Sequence, residues 1–405
     1  MRNKLKILMV APQPFFSARG TPFSVLHRIR ALLELGHEVD LVTYGYGEDI
    51  DLEGLTILRS RALPFIKKIK IGPSIPKIFL DLLLYLDTRR ALKNKQYDVF
   101  HSHEEAAFFA LRFSRKNAIP HIYDMHSSLP LQLSNFKAYN LGLFKRIFER
   151  LENKVLASSD AVITICDELA QIVEQEQPNK PHLMIENIGD DRKVFSASDK
   201  DWRTELGIGD QPVLLYTGTF EAYQGIDLLI DSLPEVFAEF PNAIALLVGG
   251  NPEQVEKYAN YAAAADIDKQ RLRFTGTVHP SHIPAMIDMA TVIVSPRSRG
   301  TNTPLKIYNY CRTGKPLVAT DRLTHTQILN ADISCLVEAT PAAFAQGTIK
   351  VLSDESYAKT IADAAQAFAA EHFSDEKYIQ MVDDIYHSML SNLPSDHVLS
   401  LATAH

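Results

Sequence analysis

The residues around 295–321 combine groups whose types and spacing suit the binding of an anion. A short apolar run at 291–295 has the composition of a buried strand and leads into a polar loop. Thr303 suits the N-cap position and Pro304 the first helical position, so a helix is predicted to begin there and to end at Gly314 after about three turns. The free backbone N–H groups at the start of such a helix attract phosphate groups.

Cationic and small polar side chains surround this predicted helix start. Arg297, Arg299 and Lys306 supply positive charge, and the loop between them contains Gly300, Thr301 and Asn302. Residues 316–320 have the composition of the next strand, so the loop is expected at the carboxyl edge of a parallel sheet, where α/β proteins bind ligands. We therefore predict that a phosphorylated ligand binds at this edge.

Short apolar runs alternate with amphipathic stretches along most of the chain. Apolar runs of this kind, bounded by turn residues, indicate parallel sheets covered by helices on both faces. The first series of strands is predicted at 4–12, 38–44, 55–60, 99–103, 121–126, 161–166 and 183–187. After a polar stretch at 190–200, a second series is predicted at 212–217, 244–248, 272–275, 291–295, 316–320 and 334–337. The predicted fold class is therefore α/β, with two Rossmann-like, doubly wound parallel-sheet domains.

The domain boundaries follow from the same pattern. We predict an N-terminal domain at 1–195, a C-terminal domain at 196–373, a last amphipathic helix at 374–392 and a flexible tail at 393–405. The chain has 405 residues, of which 46% are hydrophobic and 22% charged, as in soluble globular proteins. Three widely spaced cysteines predict a reduced, cytoplasmic compartment. The apolar run near the N-terminus is shorter than that of a signal peptide, and no window reaches the length of a membrane span.

A second predicted anion site lies between the first strand and its helix. Gly20 allows close backbone approach, and Thr21 with Pro22 suits another helix start. An ordinary strand–helix turn is the alternative. The turn lacks the Gly-x-Gly-x-x-Gly pattern, so a nicotinamide cofactor is not expected.

Histidine and carboxylate side chains cluster at the ends of two predicted strands. One group is His101, His103 and Glu104, and the other is Asp124 and His126. Strand ends in a parallel sheet share one edge, so these side chains are expected to face a ligand cleft. Hydrogen-bonded structural histidines are the alternative. No metal is expected, because the ligands come from different strands and no cysteine joins them.

The stretch 295–321 resembles the donor-binding segment of the retaining GT-B glycosyltransferases, a large family related to glycosyltransferase family 4. When the sequences are aligned on Pro304 and on the Gly-Lys-Pro at 314–316, the two family glutamates fall on Thr301 and Asn309. The turn at 216–225 resembles a second family motif, and there the family arginine and lysine are replaced by Thr219 and Gln224, between Gly218 and Gly225.

The resemblance implies two domains facing a cleft, a nucleotide-sugar donor without a metal cofactor, and a final helix that crosses back to the first domain. It also places His126 next to the transferred sugar, which makes His126 and Asp124 the candidate catalytic residues, and it implies transfer with retention. Arg297 and Arg299 are expected to replace the missing cations. Two alternatives remain open: a non-catalytic scaffold that binds a nucleotide, sugar or partner subunit, and a sugar-nucleotide epimerase.

The acceptor is suggested by the charge and hydrophobicity of one segment. Residues 61–95 hold nine basic and two acidic residues among many apolar ones, and the basic residues include Lys67, Lys68 and Lys70. Basic amphipathic helices bind anionic membranes, so a lipid-linked or membrane-surface acceptor and a peripheral location at the inner face of the membrane are expected. The same reasoning applies to a helix at 141–157. The alternative is that these helices face the core with solvated cationic faces. No motif indicates nucleic-acid binding.

Overall fold

The computed structural model describes residues 4–17, 20–64, 66, 69, 75–128, 130, 142–186, 200–300 and 303–393. The chain divides into two compact units. The first comprises Met1–Asn187 with Asp375–His405, and the second comprises Ile188–Ser374.

The described part of the first unit contains a seven-stranded parallel sheet, with helices between all successive strands except β2 and β3. Its strands are β1 (Lys6–Ala11), β2 (Glu38–Thr43), β3 (Leu55–Arg59), β4 (Val99–His103), β5 (His121–Met125), β6 (Ala161–Thr164) and β7 (His182–Met184). Its helices begin with α1 (Gly20–Glu34), α2 (Ile75–Asn94), α3 (Ala107–Asn117), α4 (Gly142–Ser158) and α5 (Asp167–Glu176).

The strand order of this sheet is β3-β2-β1-β4-β5-β6-β7. The order reverses between β1 and β4, which are parallel neighbours, so a crevice is expected beyond their carboxyl ends. β1, β4 and β5 are buried along almost their whole length, which explains why the sequence shows continuous apolar runs there rather than alternation.

The described part of the second unit repeats this design with a six-stranded parallel sheet. Its strands are β8 (Val213–Thr217), β9 (Ile244–Val248), β10 (Leu272–Gly276), β11 (Val292–Ser295), β12 (Leu317–Thr320) and β13 (Cys335–Val337). Its helices are α6 (Trp202–Glu205), α7 (Ile226–Glu239), α8 (Pro252–Ala264), α9 (Ile283–Asp288), α10 (Leu305–Cys311), α11 (Leu323–Thr326), α12 (Pro341–Ser353) and α13 (Glu355–His372). The strand order is β10-β9-β8-β11-β12-β13, so the reversal lies between β8 and β11.

The last helix, α14 (Asp375–Ser391), belongs to the first unit and packs on α1. Asp375 forms a buried ion pair with Arg30 of α1, and the Arg28 guanidinium lies 5.4 Å from the centre of the Tyr378 ring. Among the described residues, no helix is both long and apolar enough to cross a bilayer.

The predicted fold class is confirmed, and the predicted strands agree with the observed ones to within about three residues at each end. The helix starts differ more. α1 already begins at Gly20, so Gly20 and Thr21 are helical instead of forming a turn before the helix. The predicted linker at 190–200 and the tail lie almost wholly outside the described residues.

Candidate functional site

A fully buried ion pair lies at the centre of the first unit. Asp124 is near the end of β5 and is 0% exposed, and Arg28 of α1 is 1% exposed. The Arg28 Nε donates to Asp124 Oδ2 over 2.9 Å. Two opposite charges at this distance stabilise each other inside the protein, where water does not reach them. Arg28 Nη1 and Asp124 Oδ1 have no hydrogen-bond partner among the described residues.

Three histidines surround the same carboxylate. His101 Nε2 lies 3.3 Å from Asp124 Oδ2, and His126 Nε2 lies 3.5 Å from Oδ1. A carboxylate only accepts hydrogen bonds, so the neutral His101 ring carries its proton on Nε2 and its Nδ1 accepts from the Tyr386 hydroxyl of α14 at 2.7 Å. His103 Nδ1 and His126 Nε2 are 2.9 Å apart and share a hydrogen bond.

The charges of this cluster follow from burial and from the ion pair. Burial opposes ionisation of Asp124, but the Arg28 charge and the hydrogen bond from His101 hold the pKa of its carboxyl well below the usual range. Burial lowers the pKa of His101 and His126, and it lowers the pKa of His103 most strongly. At neutral pH the cluster therefore holds one anion, one cation and three uncharged imidazoles.

The expectation that His101 and His103 face a cleft is wrong for their side chains, because both are 0% exposed. Asp124 is equally enclosed, so its carboxylate reaches a ligand only through its neighbours. His126, which is 6% exposed, is the most accessible of the group. The ligand atoms of His101, His103 and Asp124 lie within 4.8 Å of one another, as in a metal site, but the Arg28 guanidinium already neutralises the carboxylate and opposes a second cation.

Two cations approach the ends of β8 and β11 in the second unit. The Lys306 amine, from α10, donates to the Thr217 carbonyl oxygen over 3.0 Å and lies 3.9 Å from the centre of the Tyr216 ring. Burial lowers the pKa of Lys306 well below its usual value, and the positive charge of Arg297 lowers it further. Gly218 has a φ of +141°, and a Cβ there would lie 3.4 Å from the Lys306 amine, so a side chain at 218 would crowd the site.

Arg297 is held against the turn that contains Gln224. Its guanidinium lies 5.0 Å from the centre of the Tyr223 ring, and its Nε donates to the Arg299 carbonyl at 2.9 Å. The neighbouring backbone is close as well, since Ser298 N donates to the Tyr223 carbonyl at 3.1 Å. Arg297 therefore brings its charge beside the position where the resembled family has a lysine, whereas Arg299 is exposed.

The predicted helix start at 303–304 is shifted. Pro304, with extended backbone, is the N-cap residue of α10, and Thr303 Oγ1 is buried with no hydrogen-bond partner in the described part of the chain. The helix has seven residues, about two turns rather than three, and ends before Gly314. The positive charge at this edge therefore comes from the Lys306 and Arg297 side chains more than from a long helix.

The remaining predicted residues are placed as follows. Asn309 Oδ1 accepts from Arg312 at 3.1 Å, and the Thr219 carbonyl accepts from the Tyr216 hydroxyl at 2.8 Å. Gln224 is buried, and its Oε1 has no hydrogen-bond partner among the described residues. Among the described residues outside its own helix backbone and chain neighbours, no atom lies within 4 Å of the position that a Cβ at Gly20 would take. Five predicted residues lie outside the described part of the chain: Thr301, Asn302, Lys67, Lys68 and Lys70.

Sequence reasoning did not identify Arg28 or Tyr386 as members of the buried cluster. Arg28 lies among Val25, Leu26 and Ile29 in the buried stretch 24–32 of α1. A cation between apolar residues of a helix implies a buried partner, and this was the available signal. Nothing in the sequence near Tyr386 indicated His101 as its partner.

Comparison with known proteins gives family matches in both units. Residues 18–185 match the sequence model of Glycosyltransferase Family 4, and residues 211–354 match that of Glycosyl transferases group 1. The chain is 24% identical over 363 residues to phosphatidyl-myo-inositol mannosyltransferase of Mycobacterium tuberculosis, covering 87% of this chain and 88% of that protein. It is 26% identical over 261 residues to alpha-D-kanosaminyltransferase of Streptomyces kanamyceticus, covering 59% of this chain and 64% of that protein.

Among solved structures, the Anabaena protein HepE in complex with UDP and glucose has the same fold. The TM-score is 0.71 at 18% identity, and the alignment covers 96% of this chain and all of HepE. The two family matches together span most of both units. The predicted resemblance is confirmed, and the chain belongs to the GT-B glycosyltransferases, with a glycosyltransferase family 4 domain followed by a glycosyl transferases group 1 domain.

Proposed function

We propose that this glycosyltransferase takes its sugar from a nucleotide-sugar donor whose diphosphate binds beyond the carboxyl ends of β8 and β11. The observation that carries the proposal is the pair of Lys306 and Arg297 at the reversal of the strand order. Crevices at such reversals bind ligands in doubly wound sheets, and these side chains suit phosphate oxygens. The presence of UDP and glucose in the HepE complex supports a donor of this class.

Catalysis would require little beyond holding and stabilising the leaving diphosphate. Cations that stabilise developing negative charge on the leaving oxygen lower the barrier without forming a bond to the sugar. The same oxygen can accept the proton of the attacking hydroxyl, which gives transfer with retention. We propose that His126 contacts the sugar, that Asp124 orients His126, and that no metal takes part.

The proposed acceptor is carried on an anionic membrane surface. One side of α2 packs on the core through Leu80, Leu84, Thr88 and Ala91. Its other side exposes four large apolar side chains: Ile78 (66%), Phe79 (53%), Leu82 (57%) and Leu86 (46%). Arg89, Arg90 and Lys93 are exposed near the end of the same helix.

Apolar side chains flanked by cations bind the boundary between headgroups and acyl chains. The exposed side of α2 supports binding to a membrane surface. The other side of the same helix packs on the core, as the alternative interpretation of this segment expected. A relative named for transfer of mannose to phosphatidyl-myo-inositol supports a lipid acceptor. A peripheral position at the cytoplasmic face of the membrane is part of this proposal.

Calorimetry with UDP, GDP and ADP tests the donor site. Arg297→Gln removes a charge-assisted contact worth about 1.5–3 kcal/mol, so the Kd of the preferred diphosphate should rise by roughly 10- to 100-fold. The Kd of the bare nucleoside should change little. Lys269→Gln removes an exposed charge elsewhere in the second unit and should leave both values unchanged. Equal losses for nucleoside and diphosphate would mean that Arg297 does not contact phosphate.

Co-sedimentation with vesicles tests the acceptor surface. Wild type should bind vesicles that contain anionic lipid and should dissociate as salt shortens the ~10 Å Debye length. Ile78→Ser combined with Phe79→Ser should weaken binding by about tenfold or more, since each loses apolar burial in the bilayer. Leu323→Ser is the matched control, because Leu323 is 61% exposed in the other unit. If wild type does not bind anionic vesicles at low salt, the acceptor is not at a membrane.

A further inference from the structure

The environment of the Lys306 amine differs from that of an ordinary surface lysine. Its three N–H groups have one hydrogen-bond acceptor in the described part of the chain, the Thr217 carbonyl at 3.0 Å. The same carbonyl also accepts from the Tyr310 hydroxyl at 3.3 Å. The amine also lies over the aromatic face of Tyr216, and the residue is half-buried.

The titratable groups that face Lys306 are uncharged or positive. β8 contributes Tyr216, α10 itself contributes Tyr310, and the segment after β11 contributes Arg297. α11 contributes His325, whose pKa is lowered to about 4, chiefly by burial and also by the Arg297 charge. Among the described residues, no carboxylate contributes to the pKa shift of Lys306.

A protonated amine in such a place has no counter-ion until an anion arrives. Desolvation and a neighbouring guanidinium both favour the neutral amine, whereas a diphosphate between the two groups would favour the ammonium. Two of the cations of the resembled family are replaced by Thr219 and Gln224. Arg297 and Lys306 would therefore supply the positive charge that binds the diphosphate.

We propose that binding of a nucleoside diphosphate group is coupled to uptake of one proton from solvent by the Lys306 amine. The inference rests on the proposed function, since it assumes that the diphosphate binds at this edge of the second unit. Arg297, which keeps its proton, would attract the anion first, and the newly charged Lys306 would then complete its coordination. When the diphosphate leaves, the proton returns to solvent.

Calorimetry in buffers of different ionisation enthalpy measures the number of protons taken up. UDP, GDP and ADP are titrated at pH 8, where the terminal phosphate, with a pKa of about 6, is already ionised. Wild type should take up a substantial fraction of one proton per bound diphosphate, and none with the bare nucleoside. Lys306→Arg should still bind the diphosphate with no proton uptake, because arginine stays protonated.

Lys315→Arg is the matched control. Burial also lowers the pKa of Lys315, but its amine donates to the Asp288 carbonyl at 2.6 Å, so this variant should keep the wild-type uptake. Lys306→Met, a second variant without a charge, should lose uptake and bind the diphosphate at least tenfold more weakly.

The outcomes separate the two proposals. If folded wild type binds none of the three diphosphates, the proposal of the donor site is wrong, and the proposal of proton uptake, which depends on it, is wrong as well. If wild type binds a diphosphate without proton uptake, the donor site stands and the proton coupling is wrong. Uptake that persists in both Lys306→Arg and Lys306→Met would overturn the role of Lys306 in the same way.

Discussion

Replacing Asp124 with asparagine should strongly destabilise the first unit. The substitution keeps the size of the side chain and removes the charge that faces Arg28 over 2.9 Å. Both side chains are at most 1% exposed, so water cannot solvate the remaining guanidinium. Removing one partner of a buried ion pair typically costs about 3–5 kcal/mol. This is a large part of the roughly 5–15 kcal/mol that stabilises a folded domain.

The double variant Arg28→Met with Asp124→Asn separates loss of a charge from loss of shape. Replacing both members of a buried pair with uncharged groups of similar volume is often neutral. The double variant should therefore regain most of the stability that Asp124→Asn loses. Recovery in the double variant would show that the cost comes from the unpaired Arg28 charge.

Amide hydrogen exchange in urea is the appropriate assay, because peptides from the two units report on each unit separately. The free energy of opening should fall in peptides of β1, β4 and β5 and stay unchanged in peptides of β8 and β11. A fall of less than about 1 kcal/mol in the free energy of opening of Asp124→Asn would contradict the stabilising role of the ion pair, because an unpaired buried charge should cost more. A double variant no more stable than the single variant would contradict it as well.

Three further predictions follow from other contacts. Gly218→Ala places a methyl group 3.1 Å from the Tyr216 hydroxyl and 3.4 Å from the Lys306 amine, at a backbone φ of +141°. The substitution should raise the Kd for nucleoside diphosphates at least tenfold in calorimetry. An unchanged Kd would argue against the proposed donor site. Tyr386→Phe leaves His101 Nδ1 without its donor at 2.7 Å and should cost about 1–3 kcal/mol in urea unfolding, whereas a neutral result would mean that water replaces the hydroxyl. Burial lowers the pKa of His121 to about 3, against about 6.5 in the unfolded chain. The contribution of His121 to the free energy of unfolding is therefore greatest above pH 6.5 and declines as pH falls toward 3. Wild type should lose about 2 kcal/mol at pH 5 through this group alone, and His121→Gln should show a correspondingly flatter pH dependence of unfolding.

The fold could be predicted because its signals are local. The apolar runs at 99–103 and 244–248 coincide with the observed strands, and the strand at 38–44 ends one residue early. Glycines at 36 and 314, both with positive φ, follow α1 and α10 within three residues, as C-terminal glycines do. Such signals depend on neighbouring residues only, so a single sequence contains them.

The start of α10 shows the limit of local reasoning. Thr303 and Pro304 fit the N-cap and first helical positions by residue type, yet the observed cap is one residue later. Pro304 has its usual φ of −65°, but its ψ of 133° is extended rather than helical. Composition does not distinguish these two states of proline, because both share the same φ.

The partners of the candidate site residues were beyond prediction because they are distant along the chain. Arg28 and Asp124 are 96 residues apart, His101 and Tyr386 are 285 apart, and Lys306 and Thr217 are 89 apart. Strand order and the path of α14 bring these residues together. The pattern of apolar and polar residues along the sequence predicts neither of them. The sequence therefore indicated which residues have suitable chemistry, and the structure identified their partners.

Turnover of a nucleotide sugar by the purified protein is the most direct measurement of the proposed donor site. UDP-, GDP- and ADP-linked sugars are incubated with the protein and anionic vesicles, and release of nucleoside diphosphate is measured. At least one donor should be turned over, and Arg297→Gln combined with Lys306→Gln should reduce the rate by about 100-fold or more, as expected when groups that stabilise a leaving anion are removed. Lys269→Gln should react at the wild-type rate. Turnover that is unaffected by the double substitution would contradict the proposed donor site, and a folded protein that binds these donors but turns none of them over would contradict the proposed donor chemistry.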